Sequence, residues 1–175
     1  QNLTKDDTNW VLNGLASIPL SGQGMMKLTN EEDVDFGKYT SPITYEAWLK
    51  PPTTQPNSGD GVEIFDSQPV KCHLSDDEVV VSVKIYINGV TEFIEKFRSP
   101  VTPGQWFHLA ITNPSHKTWN VYIDGIRVAF KTFTQDLTYK HNNYVTLGLA
   151  GQSNNSQAHV DDFRITTDTI ISGDS

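Results

Sequence analysis

The 175-residue chain is short of cysteine, of basic clusters and of long apolar runs, and each shortage removes a class of protein. Cys72 is the only cysteine, so neither an intrachain disulfide framework nor a thiolate metal cluster can form. A secreted protein of this size does not require disulfides, and the compartment stays open on this count. Lys and Arg number 13 against 21 Asp and Glu, giving a net charge of −8. An acidic surface without a basic patch repels a phosphate backbone, so nucleic acid is not an expected partner. No apolar stretch approaches the ~20 residues of a membrane-spanning helix, and membrane insertion is not expected. No signal-peptide pattern is visible. The chain begins at Gln1, as a processed or excised piece would.

Catalytic signatures are missing as well. There is no Gly-x-Ser-x-Gly, no His-x-x-x-His zinc spacing and no glycine-rich phosphate or dinucleotide loop. Cys72 and His73 are adjacent, but neighbours on a strand point to opposite faces and do not cooperate by default.

What is present is alternation with a period of two. "ITYEAWLK" (43–50) sets Ile43, Tyr45, Ala47 and Leu49 against Thr44, Glu46, Trp48 and Lys50, a strand with one apolar face. "PPTTQPNSGDG" (51–61) is a loop, because its prolines and glycines cannot sustain a ladder. "VVVSVKIYINGVTEFIEKF" (79–97) predicts a hairpin about Asn88-Gly89, and "WNVYIDGIRVAF" (119–130) predicts another about Asp124-Gly125. Both dipeptides supply the two positive-φ positions that a type I′ turn requires. "YVTLG" and "HVDDFRIT" read as the last two strands, and evidence for helix is thin. Many short strands with closely spaced turn signals predict an all-β fold, a single antiparallel β-sandwich (jelly roll) over residues 1–175. Trp106 and Trp119 are expected in its core, with His108 as a hydrogen-bonded framework histidine.

The ordered set "ITYEAWLKP", "PGQWFHLAITNPSHKTWNVYIDG" and "HVDDFRIT" resembles the laminin G-like branch of the concanavalin A-like lectin/glucanase superfamily. Trp48, Trp106, His108, Ala110, Tyr122, Asp124, Gly125, Asp161 and Arg164 occupy corresponding places in order, over roughly residues 20 to 168. The resemblance implies a concanavalin A-like sandwich and leaves function open among lectins, adhesion modules, pentraxins and hydrolases. The glucanases of that superfamily need paired carboxylates at alternate positions of one strand. "EEDVDF" (31–36), "EIFD" (63–66) and "SDDEVVV" (75–81) do not supply that pattern, so no enzymatic activity is expected.

Asp161 shares a strand face with Phe163 and Ile165 if alternation holds through "HVDDFRIT". A carboxylate aimed inward there needs a hydrogen bond, a cation or an ion partner. In similar modules, an aspartate in this place helps to hold calcium. The resemblance thus implies a structural calcium site with Asp161, and with Asp33 or Asp35 from "TNEEDVDFG" as further oxygen ligands. The alternative is that Asp161 caps backbone N–H groups and holds no metal.

The polar loops "KHNNY" and "QSNNSQ" offer Asn142, Asn143, Asn154 and Asn155 for hydrogen bonds to sugar hydroxyls. Trp10, Tyr139 and Tyr144 are available for stacking. Sequons at Asn2 and Asn154 suit an extracellular setting. The expectation is a non-catalytic recognition module at a cell, matrix or virion surface, excised from a larger protein and binding glycan through its rim loops. The alternatives are a protein–protein adhesion or assembly domain and, behind it, a polysaccharide hydrolase or lyase. Expected partners are accordingly a glycan or a surface protein.

Overall fold

The computed structural model describes residues 2–6, 9–13, 18–19, 26–29, 42–56, 59–139, 144–148 and 158–167. Among the described residues there are fifteen strands and no helix. The first four are β1 (Asn2–Asp6), β2 (Asn9–Asn13), β3 (Ile18–Pro19) and β4 (Met26–Thr29). Next come β5 (Ile43–Lys50), β6 (Val62–Asp66), β7 (Val70–Leu74), β8 (Glu78–Ile87) and β9 (Thr91–Pro100). The rest are β10 (Phe107–Ser115), β11 (Thr118–Ile123), β12 (Ile126–Thr132), β13 (Leu137–Thr138), β14 (Tyr144–Leu147) and β15 (His159–Thr167).

They form two antiparallel sheets. The larger runs β1-β2-β15-β5-β10-β11-β12, with β3 also on β15; the smaller runs β13-β8-β7-β6-β14-β4, with β9 on β8. Sequence-distant strands lie side by side: β15 pairs with β5, which pairs with β10. Such crossovers separate a jelly roll from a simple meander.

Alternation decides what fills the space between the sheets. Ile43, Tyr45, Ala47 and Leu49 of β5 are buried, as the sequence predicts. They meet Leu109 and Ile111 of β10, Val81, Val83 and Ile85 of β8, and Phe65 and Phe163 in one contiguous core. Phe65 lies between Tyr45 and Phe163, with ring centroids 6.1 and 5.1 Å away. Trp119 is fully buried, as expected, and its indole N–H donates to the Tyr139 hydroxyl at 3.1 Å. Cys72 also lies in this core, where burial pushes its thiol pKa far up and leaves it protonated and inert.

Both expected hairpins are present. Asn88 and Gly89 take φ of 51° and 73°, and Asp124 and Gly125 take 50° and 79°. These are the left-handed conformations of a type I′ turn. The first turn closes through the Val90 N–H donating to the Ile87 carbonyl at 3.1 Å. The loop before β6 ends at Gly61, where φ is 99° and a Cβ would lie 2.4 Å from the Leu74 carbonyl group. Only glycine fits that approach. The preceding Asp60 reaches β9, binding Lys96 at 2.5 Å and Arg98 at 2.8 Å, while Arg98 also binds Glu78 at 2.7 Å.

Two sequence expectations change. Trp106 is not a core residue: it is 42% exposed. Phe107 takes the first inward position of β10, opposite Leu49, so the residue before it faces outward. Asp161 does not point inward with Phe163. Its register partner is Trp48, while that of Arg164 is Glu46, so three steps on β15 match two on β5. The extra residue is accommodated by a bulge, with Asp162 at a φ of 52°. Val160 therefore faces the core alongside Phe163, and Asp161 turns to the opposite side.

Candidate ligand-binding face

The bulge and the β5–β10 register bring chemistry-bearing side chains to one end of the larger sheet, on the face turned away from the core. Register orders them into rows. His159 pairs with Lys50, and Trp106 immediately precedes the strand that continues that row. In the next row Asp161, Trp48 and His108 stand side by side on β15, β5 and β10. A third runs Arg164, Glu46, Ala110 and Tyr122, and a fourth Thr166, Thr44, Thr112 and Asn120.

The rows differ in access. Thr166, Thr44, Thr112 and Asn120 are buried, as are Ala110 and Tyr122. Trp48 and Trp106 are each 42% exposed. The Trp48 ring meets His108 edge-on with centroids 5.2 Å apart, and Trp106 tilts toward His159 at 6.2 Å. The two indoles thus sit in adjoining rows, each braced by a histidine.

Glu46 lies in the row next to Trp48, on the side away from Trp106. Its side chain is almost wholly buried, Oε1 lies 3.3 Å from His108 Nε2, and Oε2 has no hydrogen-bond partner. The hydroxyls of Thr44 and Thr166, on the same face, also lack one. Burying an acceptor without a donor costs about 1–3 kcal/mol, more for a charge, and all three oxygens are shielded from solvent by the protein itself. Asp124 fixes the far side of His108, accepting its backbone N–H through Oδ1 at 2.9 Å. The turn aspartate therefore has a second role beyond its positive φ.

Asp161 Oδ1 accepts the Asp162 N–H at 2.8 Å, the backbone-capping role posed by the sequence as the alternative to metal binding. No group of three or more His, Cys, Asp or Glu residues suited to a metal ion occurs among the described residues. Asp33 and Asp35, the further ligands that the resemblance implies, lie outside them. Tyr139 is tied into the frame: its hydroxyl accepts from Trp119 and donates to the His116 carbonyl. Burial pushes its pKa up to about 12, with the Trp119 hydrogen bond opposing the shift. Trp10 and Tyr144 fall within β2 and β14, but their side chains lie outside the described residues. Asn142, Asn143, Asn154 and Asn155 lie outside them too.

Sequence reasoning did not single out Trp48, Trp106, Glu46 or His108 as ligand residues. The signal was available in "EAW" and "WFH", where Glu46 with Trp48, and Trp106 with His108, recur two residues apart on the polar side of their strands.

A sandwich of two antiparallel sheets joined by these crossovers is a concanavalin A-like fold. The chain belongs to the concanavalin A-like lectin/glucanases superfamily, whose laminin G model matches residues 20–171. No curated protein matches the sequence. Among solved structures, the ligand-binding domain of botulinum neurotoxin serotype D in complex with N-acetylneuraminic acid is similar at 14% identity and a TM-score of 0.68. That match covers 98% of this chain and 42% of that one. The binding domain of neurotoxin DC in complex with rat synaptotagmin II is similar at 14% identity and a TM-score of 0.64, covering 98% and 43%. The receptor-binding domain of mosaic serotype C/D, with tetraethylene glycol on its Hcn sub-domain, gives 14% and 0.67, covering 98% and 42%. The chain thus spans less than half the length of these neighbours, and at this identity the likeness concerns the fold.

Proposed function

We propose that the chain is a non-catalytic recognition module that binds glycan on the outer face of its larger sheet, at the Trp48–Trp106 end. The observation that carries this reading is the pair of half-exposed indoles, Trp48 and Trp106, in adjoining rows of the outer face, with Asp161 and Lys50 beside them in those rows. A pyranose presents an apolar C–H face to an indole and hydroxyl donors at its rim. Asp161 accepts from such hydroxyls, and Arg164 and Lys50 donate. This reading uses a sheet face; the rim-loop residues that the sequence suggests, Asn142, Asn143, Asn154 and Asn155, lie outside the described residues.

Several features support recognition over turnover. On β5 the alternate positions on either side of Glu46 are Thr44 and Trp48, so that strand lacks the paired carboxylates that the superfamily's glucanases carry on one strand. The fold neighbours include toxin domains solved with N-acetylneuraminic acid and with synaptotagmin II, which is in keeping with a surface-recognition role outside the cell. Calcium enters this reading as a structural clamp near Asp161, tested by chelation.

The experiment is a glycan array with the wild-type chain and with Trp48→Ala and Trp106→Ala, each in calcium and in chelator. Binding to a defined glycan set that falls at least about tenfold in either variant, at unchanged stability, is the expected result. Uniform silence of the wild type, or variants that bind like it, would overturn the reading. Loss of signal in chelator alone assigns the calcium.

A further inference from the structure

β12 closes one side of the larger sheet and, among the described residues, pairs only with β11, while β9 of the smaller sheet approaches it where Lys131 meets Glu95. Edge strands are ordinarily short, covered or studded with charge, because their free N–H and C=O groups accept another strand. This one spans seven residues, Ile126–Thr132, is bulged at Val128, where two steps of β12 match one of β11, and carries three exposed large apolar side chains: Ile126 at 69%, Val128 at 40% and Phe130 at 62%. Beside it lies a cavity of about 360 Å³ between the two sheet edges, walled by Ile87, Phe93 and Phe133 with Lys131 at its lip.

The charge on the strand is of one sign. Arg127 and Lys131 are its ionisable residues, and no acid lies within it, on a chain whose net charge is −8. Lys131 is shared between Glu95, at 3.9 Å, and the Phe133 ring. Arg127 lies 4.5 Å over the Phe130 ring and makes no ion pair among the described residues. A second copy of the chain, edge to edge, would bring together two cations from each strand with no acid from either, which like-charge pairing disfavours.

We propose that the β12 edge docks an extended, acidic segment of a partner protein as an added strand. Backbone groups along the edge hold the segment, one apolar side chain fills the cavity lined by Ile87, Phe93 and Phe133, and an acidic side chain meets Arg127. This site is separate from the Trp48 face and does not depend on glycan binding there.

The test uses three arms. An acetylated nine-residue peptide alternating valine and glutamate is titrated into the chain and compared with the valine–lysine peptide, with amide hydrogen exchange followed along Ile126–Thr132. The expected result is slowed exchange at alternate β12 amides and at least about tenfold tighter binding of the glutamate peptide. Arg127→Glu reverses that preference. Arg127→Gln, which keeps a similar stem for the Phe130 contact, erases it. Equal affinity for the two peptides, or protection elsewhere, overturns the proposal. So does the same protection on raising the protein concentration alone, which would identify a second copy as the occupant.

Discussion

Asp124 grips His108 at both backbone groups: its N–H donates to the His108 carbonyl and its Oδ1 accepts the His108 N–H, each at 2.9 Å. The hairpin turn and the start of β10 are thereby one unit, so the turn sets where the His108 ring stands beneath Trp48. Replacement by asparagine keeps an acceptor and tolerates positive φ. Replacement by alanine loses the acceptor and strains the turn. Asp124→Ala is expected to cost about 1–2 kcal/mol in urea denaturation, and Asp124→Asn only a few tenths.

The two tryptophans flanking the long β10–β11 hairpin are expected to behave oppositely. Trp119 is fully buried and hydrogen-bonded to Tyr139, so Trp119→Ala should lose about 3–5 kcal/mol. Trp106 is half in solvent, and Trp106→Ala should stay within about 0.5 kcal/mol of wild type. Equilibrium unfolding in guanidinium separates the two, and equal losses would show that Trp106 belongs to the core after all.

The Asp60 clamp carries a pH signature. Hydrogen bonds from Lys96 and then Arg98 hold its carboxyl at about 2, below the ordinary value. A depressed folded-state pKa contributes stability above the unfolded value near ~3.9 and loses it as pH falls through the folded one. The carboxylate is partly exposed and screened, so Asp60→Asn should cost only about 0.5–1 kcal/mol at pH 7. Between pH 4 and pH 2 the gap between the two proteins' urea midpoints should close. A gap that persists at pH 2 would assign the effect to packing rather than to charge.

Much of the scaffold was legible because it rests on periodicity and turn chemistry, which are local. "ITYEAWLK" declared its buried face by alternation, and Asn88-Gly89 and Asp124-Gly125 declared their turns by φ. Asp161 was misplaced because alternation was carried through a bulge that no residue type announces: Asp162 tolerates a left-handed φ but does not demand it. The proposed face was harder to see for a different reason. Trp48, His108 and Asp161 come from three strands far apart in sequence, and a row across a sheet is written in the register, which a single sequence does not display. Trp106 misled through its type, since a large aromatic beside a strand suits a core and a surface platform equally well.

The supernumerary residue at Asp162 keeps both halves of β15 in phase with the interior, since Val160 and Phe163 face inward on either side of it. Removing that one position would leave an ordinary strand with the same residues inward. The interior is thus indifferent to whether the kink exists. What the kink alters is the aim of the outward carboxylate, so a chain of this architecture can gain or lose a single amino acid there and retune its exterior without repacking anything beneath it.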